Sequence, residues 1–229
     1  MTTTYTIVES VLATGCTNSH SVLVTALPLP TPGITGSATV CESSTDVTYT
    51  TEALMTGYTW TVSTGGVITS GAITNTIKVT WNTAGAQTVS VIYTNAMGCN
   101  AAAASVMNVT VNPLTGIAGA ITGTTVICAG VQDVGYSVTA IANAVSYQWT
   151  LPSGATITSG KGTRAITVSF ASNAASGNIV VYGSSNCGNG TPSMLAFIVT
   201  PKPDVAGSIS GPGTFGKGTT GANYWVQSG

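Results

Sequence analysis

The sequence predicts an all-β chain of sandwich domains repeated in tandem. Three observations carry that prediction. Thr and Val, which favour strands, are abundant, while residues that favour exposed helix are scarce. Clusters of Gly, Pro, Asn and Ser recur about every ten residues, the spacing of turns between short strands. One line also occurs twice: "YTWTVSTGGVITSG" at 58–71 and "YQWTLPSGATITSG" at 147–160. No long window carries a 3.6-residue apolar period.

The composition bounds what such a chain does. Of 229 residues only 5% are charged, and the net charge is −1. Electrostatic attraction to nucleic acid or anionic lipid is therefore not expected. No apolar run approaches the ~18 residues of a membrane-spanning helix, so no membrane insertion is expected in this segment. Thr, Ser, Gly, Ala and Asn stand where Lys and Glu usually do, which predicts a neutral, hydroxyl-rich surface. "MTTTYTIVES" lacks the basic start and apolar stretch of a signal peptide.

Self-comparison sets the repeat. "ITGSATVC" (34–41) aligns with "ITGTTVIC" (121–128), and each reaches Asp-Val-x-Tyr, at Asp46 to Tyr49 and Asp133 to Tyr136. "GAITNTIKVTW" (71–81) aligns with "GKGTRAITVSF" (160–170), and "VIYTNAMGC" (91–99) with "VVYGSSNC" (180–187). Each copy closes on a proline, Pro113 or Pro203. The expected organisation is the end of one repeat at 1–28, complete repeats at 29–113 and 114–203, and the start of another at 204–229. Ile209 and Tyr224 then match Ile121 and Tyr136, and Gly216 falls where a cysteine stands in the other copies. Both ends read as cuts through a longer array.

Within a repeat the strands show period two. Tyr58, Trp60 and Val62 point one way and Thr59 and Thr61 the other. Ile77, Val79 and Trp81 repeat the pattern, as do Ile166, Val168 and Phe170. One packed and one wet face per sheet is the mark of two sheets stacked as a sandwich. Tyr58, Trp60, Tyr147 and Trp149 are accordingly expected in the core.

Five cysteines stand at 16, 41, 99, 128 and 187. None forms a Cys-x-x-Cys pair, and the lone His20 completes no zinc set with them. Each full repeat has one early and one late cysteine, and the expected pairs are Cys41–Cys99 and Cys128–Cys187. Each closes a loop of about sixty residues, a contribution of roughly 4 kcal/mol in the chain-entropy picture. Cys16 is left unpaired in this segment. Disulfides imply export to an oxidising space.

The "ITGxxxxC" opening, the "Y-x-W-T-x-P-x-G-A-x-I-x-x-G" line, the "I-x-V-x-W/F" strand and the late "GC" or "CG" resemble the PKD-like, immunoglobulin-type repeats of giant Bacteroidota surface adhesins, including gliding-motility adhesins. The second repeat carries Pro152, Gly154 and Ala155 of that line, whereas the first has Ser63-Thr64-Gly65-Gly66. The resemblance implies tandem immunoglobulin-like domains in a rod, outside the cell, with the secretion signal elsewhere in the parent protein.

Catalytic patterns are missing. No Ser–His–Asp set recurs in the repeats. "GPGTFG" (211–216) matches Gly-x-Gly-x-x-Gly, but no helix is expected after it, so it does not read as a nucleotide site. Asp46 and Asp133 raise a calcium hypothesis, yet one carboxylate per repeat is short of calcium's oxygen count, and a turn-forming Asp fits better. No cofactor and no metal are expected, and the chain does not read as an enzyme. The function expected is a stalk or adhesive segment of a secreted adhesin for surface attachment or gliding motility. Its partners are neighbouring repeats, surface glycans and other surface or secretion proteins. The alternatives are sugar-binding modules of a polysaccharide-degrading enzyme and a filament subunit completed by strand exchange.

Overall fold

The computed structural model describes residues 2–203 and 207–226. Asp204 lies outside the described residues. Every regular element among them is a strand, and the chain divides into two units, Met1–Pro113 and Leu114–Gly229.

The first unit begins with a hairpin of β1 (Thr2–Ser10) and β2 (Thr17–Thr25), paired from Thr2↔Thr25 to Ser10↔Thr17. Both strands are exposed along their length. Eight strands follow: β3 (Thr35–Gly36), β4 (Thr39–Cys41), β5 (Val47–Thr50), β6 (Thr56–Val62), β7 (Gly66–Ser70), β8 (Thr76–Trp81), β9 (Gly85–Thr94) and β10 (Ser105–Asn112). They form two sheets, ordered β3-β5-β8-β7 and β4-β10-β9-β6. Alternation does the sorting. Ile77, Val79 and Trp81 are fully buried, and Lys78 between them is exposed. Tyr49, Trp60, Val89, Val91, Val109 and Val111 complete that core.

The second unit repeats the plan with β11 (Thr122–Gly123), β12 (Val126–Cys128), β13 (Val134–Ser137), β14 (Ser146–Thr150), β15 (Ala155–Ser159), β16 (Ala165–Phe170), β17 (Gly177–Ser185), β18 (Gly188–Asn189) and β19 (Ser193–Thr200). The sheets are β11-β13-β16-β15 and β12-β19-β17-β14, with β18 paired to β17. Beyond them β20 (Ile209–Ser210) pairs with β21 (Trp225–Val226).

The two cores solve one packing problem differently. The first sets Trp81 against Tyr49, edge to face at 6.3 Å, and has Val109 in that core at the position equivalent to Phe197. The second sets Phe170 against Phe197, edge to face at 5.3 Å. A large residue with a small one gives way to two of middle size, as volume conservation in a close-packed core requires.

A tyrosine fixes the first strand of each sandwich. That strand serves one sheet as β3 and then the other as β4, where it runs parallel to β10. A Cβ on Gly36 would fall 2.3 Å from Tyr49 Cδ1, so the ring lies against bare backbone. The Tyr49 hydroxyl donates to Ser37 O, at the point where the chain changes sheets, and accepts from Trp81 Nε1. Tyr136 does the same over Gly123, donating to Thr124 O. Tyr224 covers Gly211 and donates to Pro212 O. Burial pushes the Tyr49 and Tyr136 phenols up from the usual tyrosine range; at Tyr49 the Trp81 hydrogen bond opposes this.

Tyr49→Phe keeps the ring but leaves Trp81 Nε1 without its buried acceptor, an expected loss of about 1–3 kcal/mol in urea unfolding. Gly123→Ala, whose new methyl would meet Tyr136 at 2.1 Å, is expected to cost at least as much by overpacking, ~1–3 kcal/mol or more. Unchanged unfolding midpoints in both variants would remove the tyrosine as the fixing element.

Candidate functional site

The aromatic line that the sequence singles out is built into the scaffold. Trp60 is buried, and its Nε1 donates to Thr74 O at 2.8 Å. Trp149 is half-buried against the second core, and its Nε1 donates to Thr163 O at 2.8 Å. Tyr58 packs against the first core, donates to Glu52 O and accepts from Met55 N. Tyr147 packs against the second and accepts from Ile141 N. Each polar tip is thus spent on a backbone group of its own repeat, which fits rings that serve the scaffold. Trp225 differs, being exposed together with Tyr224.

Two poles of each sandwich follow from the strand directions. At one, here the leading pole, the chain starts its first strand. At the other, the trailing pole, it ends its last. The leading pole of the first repeat is held by Glu52, a residue the sequence pattern did not single out. Both carboxylate oxygens accept from Gly33 N at 3.0 Å, just before β3. Thr51 Oγ1 and Tyr93 Oη donate to the same carboxylate at 2.7 and 2.9 Å. Desolvation works to raise its pKa, but the hydrogen bonds from Gly33, Thr51, its own backbone and Tyr93 together outweigh it and hold the carboxyl at about 2. Tyr93, desolvated and donating to that anion, is pushed up to about 12. In the second repeat the same task falls to neutral groups. Asn143 Nδ2 donates to Leu114 O, and Thr115 Oγ1 lies 2.8 Å from both Ser185 Oγ and Gly188 O.

The expected disulfides within each repeat do not form. Cys99 and Cys128 are free thiols, as is Cys16, whereas Cys41 and Cys187 are disulfide-bonded. The register gives the reason. Cys41 ends β4 opposite Asn112, at the trailing end of β10. Cys99 lies in the loop between β9 and β10, at the leading end, where its carbonyl accepts from Asn95 N. The length of β10 separates them, seven residue steps or roughly 23 Å. A disulfide needs Cα atoms within about 7 Å. Cys128 stands opposite Thr200 at the trailing end of β19, and Cys187 sits in the β17–β18 turn at the leading end, so the second pair is equally remote.

Asp46 and Asp133 occupy turns. Both have left-handed backbone, φ 54 and 58, which Asp tolerates better than most residues. Asp46 faces Lys78 Nζ at 3.8 Å. Among the described residues no group of three or more His, Cys, Asp or Glu is placed to hold a metal. His20 lies on the open hairpin opposite Ile7.

The outer sheet faces carry the remaining chemistry. On β4-β10-β9-β6 the outward residues include Thr39, Thr110, Asn108, Thr88, Ser90, Thr59 and Thr61 together with the aliphatic Val106 and Ile92, an uncharged, mostly polar surface. The matching face of the second repeat sets Val126 with Ile198 where the first has Thr39 with Thr110, and places Met194 beside Val180 alongside the polar Asn178, Ser184 and Gln148. Val126, Met194 and Ile198 are each at least 60% exposed.

Residues 27–109 and 113–197 each match the PKD-like domain family. The chain belongs to that family. No curated protein matches the sequence. Among solved structures, the PKD-like chain is similar to titin domains A168–A170 at 10% identity and TM-score 0.44, covering 86% of this chain and 75% of that one. It is similar to the Escherichia coli adhesin FdeC at 18% and 0.35, covering 82% and 70%. It is also similar to a calcium-stabilised adhesin with which an Antarctic bacterium binds ice, at 16% and 0.40, covering 92% and 59%.

Three outcomes are expected. Trp60→Ala costs ~3–5 kcal/mol in denaturant unfolding, as a large core truncation; a small loss would return the ring to sugar binding. Because the Glu52 carboxyl is held below its ordinary value of 4.5, its contribution is present above that pH and is lost as pH falls toward about 2. Glu52→Gln therefore flattens the pH dependence of the melting temperature across that window, and an unaltered profile would contradict the grip on Gly33. A chelator leaves the melting temperature unmoved if Asp46 and Asp133 serve turns, and lowers it if they hold calcium.

Proposed function

We propose that this PKD-like chain is a stalk and adhesive repeat segment of a large secreted surface adhesin, of the type Bacteroidota use for attachment or gliding. The observation that carries the reading is two PKD-like repeats in direct succession whose repeated Tyr-x-Trp aromatics serve the scaffold. The outer faces differ in detail, the Thr39–Thr110 pair of one repeat standing where the other has Val126–Ile198. Such a unit is suited to holding and presenting contact surfaces, and the reading assigns it no reaction and no cofactor. Its low charge supports close packing outside the cell without electrostatic sticking. Its partners in this reading are neighbouring repeats, surface glycans and other surface or secretion proteins.

Antibody raised against the 229-residue chain is expected to stain intact cells of the producing organism. Staining only after permeabilisation would overturn the surface reading. A glycan array probed with the same chain separates scaffold from sugar-binding module: strong, Trp225-dependent binding would favour the module.

A further inference from the structure

We propose that Cys99 and Cys128 each form a disulfide with the opposite-pole cysteine of another copy of this repeat. Each sandwich carries one cysteine at each pole. Cys41 and Cys128 end the strand that runs parallel to the last strand of their repeat, at the trailing pole. Cys99 and Cys187 lie in the loops at the leading pole. No partner is available inside the repeat, because the length of the last strand intervenes.

The equivalent positions show what these cysteines do. Cys41, equivalent to Cys128, is disulfide-bonded, and so is Cys187, equivalent to Cys99. One trailing-pole and one leading-pole cysteine are therefore already half-cystines in this chain, while their counterparts are thiols. Cys128 is exposed and Cys99 partly so, which leaves both within reach of an incoming repeat. With one cysteine of each pole already oxidised, trailing cysteine with leading cysteine is the pairing rule.

The bond forms by two-electron oxidation. Two thiols lose two protons and two electrons, which a disulfide oxidant such as oxidised glutathione takes up as its own S–S bond breaks into two glutathione thiols. Bridges between repeats also change what a disulfide stabilises. A bridge inside a sandwich constrains that domain's unfolded state. A bridge between sandwiches links two folded domains instead.

The inference rests on the tandem-array reading for the presence of adjoining repeats, but the pairing rule is tested without the cell. Unlabelled and 15N-labelled chains are mixed in oxidised and reduced glutathione, alkylated, digested with pepsin without reductant, and mapped by mass. The expected joined peptides pair Cys128 with Cys99, or with Cys16, the late cysteine of the preceding copy. Mixed-isotope pairs place the second repeat on another chain and support the rule; joined peptides that never mix isotopes would place both cysteines on one chain and overturn it. Cys128→Ser is expected to reduce these pairs at least tenfold with an unchanged circular dichroism spectrum. Peptides joining Cys41 to Cys99 or Cys128 to Cys187 would overturn the proposal. So would like-with-like pairs, or Cys99 and Cys128 remaining reduced. Failure here leaves the surface-staining result standing, and failure of staining leaves the pairing rule standing.

Discussion

The fold depends on one strand changing sheets and on one tyrosine holding it there. A strand that starts against β5 and finishes against β10 must turn within two residues, Ser37 and Ala38. Backbone at such a turn loses its ladder partners and needs others. Tyr49 supplies one with its hydroxyl and fills the space over Gly36 with its ring. Any side chain at that glycine would displace the ring. Tyr136 over Gly123 meets the same requirement in the second repeat. Because the switch closes both sheets onto one core, losing it opens an edge on each.

The switch also decides where the cysteines go. After changing sheets the strand runs parallel to the last strand, so it carries Cys41 or Cys128 to the trailing pole. The late cysteine stays at the leading pole, where the final hairpin turns. In the immunoglobulin pattern the bridging cysteines lie on strands that face each other across the core. Here the early cysteine is on the switched strand, and no face-to-face partner exists. Equivalent cysteines in two repeats are compatible with bridges within repeats or between them. Only the direction of a three-residue strand separates the two readings, and period-two alternation does not encode direction.

Much of the remaining architecture was legible. The repeat, its length and its buried strands came from self-comparison and alternation, and Ile77, Val79 and Trp81 are buried as their spacing requires. Trp60 is buried too, but Trp149, its equivalent, is only half so. The turns that follow differ, with Ser63 in the first repeat where the second has Pro152 and Gly66 where it has Ala155. The grip of Glu52 on Gly33 was not legible, because it joins residues nineteen apart through a carboxylate with no counterpart in the second repeat. The glycine of Ile-Thr-Gly was visible as a repeated letter, but its reason was not. Contact with a tyrosine thirteen residues on is a fact of the folded sheet.

Inner and outer faces answer to different constraints. Inside, Trp81 with Val109 and Phe170 with Phe197 are two fillings of one volume, so the choice in one position limits the choice in the other. Outside, no such coupling acts, and equivalent positions have parted: Thr39 and Thr110 on the first repeat, Val126 and Ile198 on the second, while Val106 and Met194 remain alike in being aliphatic and exposed. A partner that touched this face on both repeats would meet a threonine pair on one where it meets an aliphatic pair on the other. The same separation explains why the duplicated Tyr-x-Trp line identifies the scaffold so well and the partner so poorly: its side chains are committed inward.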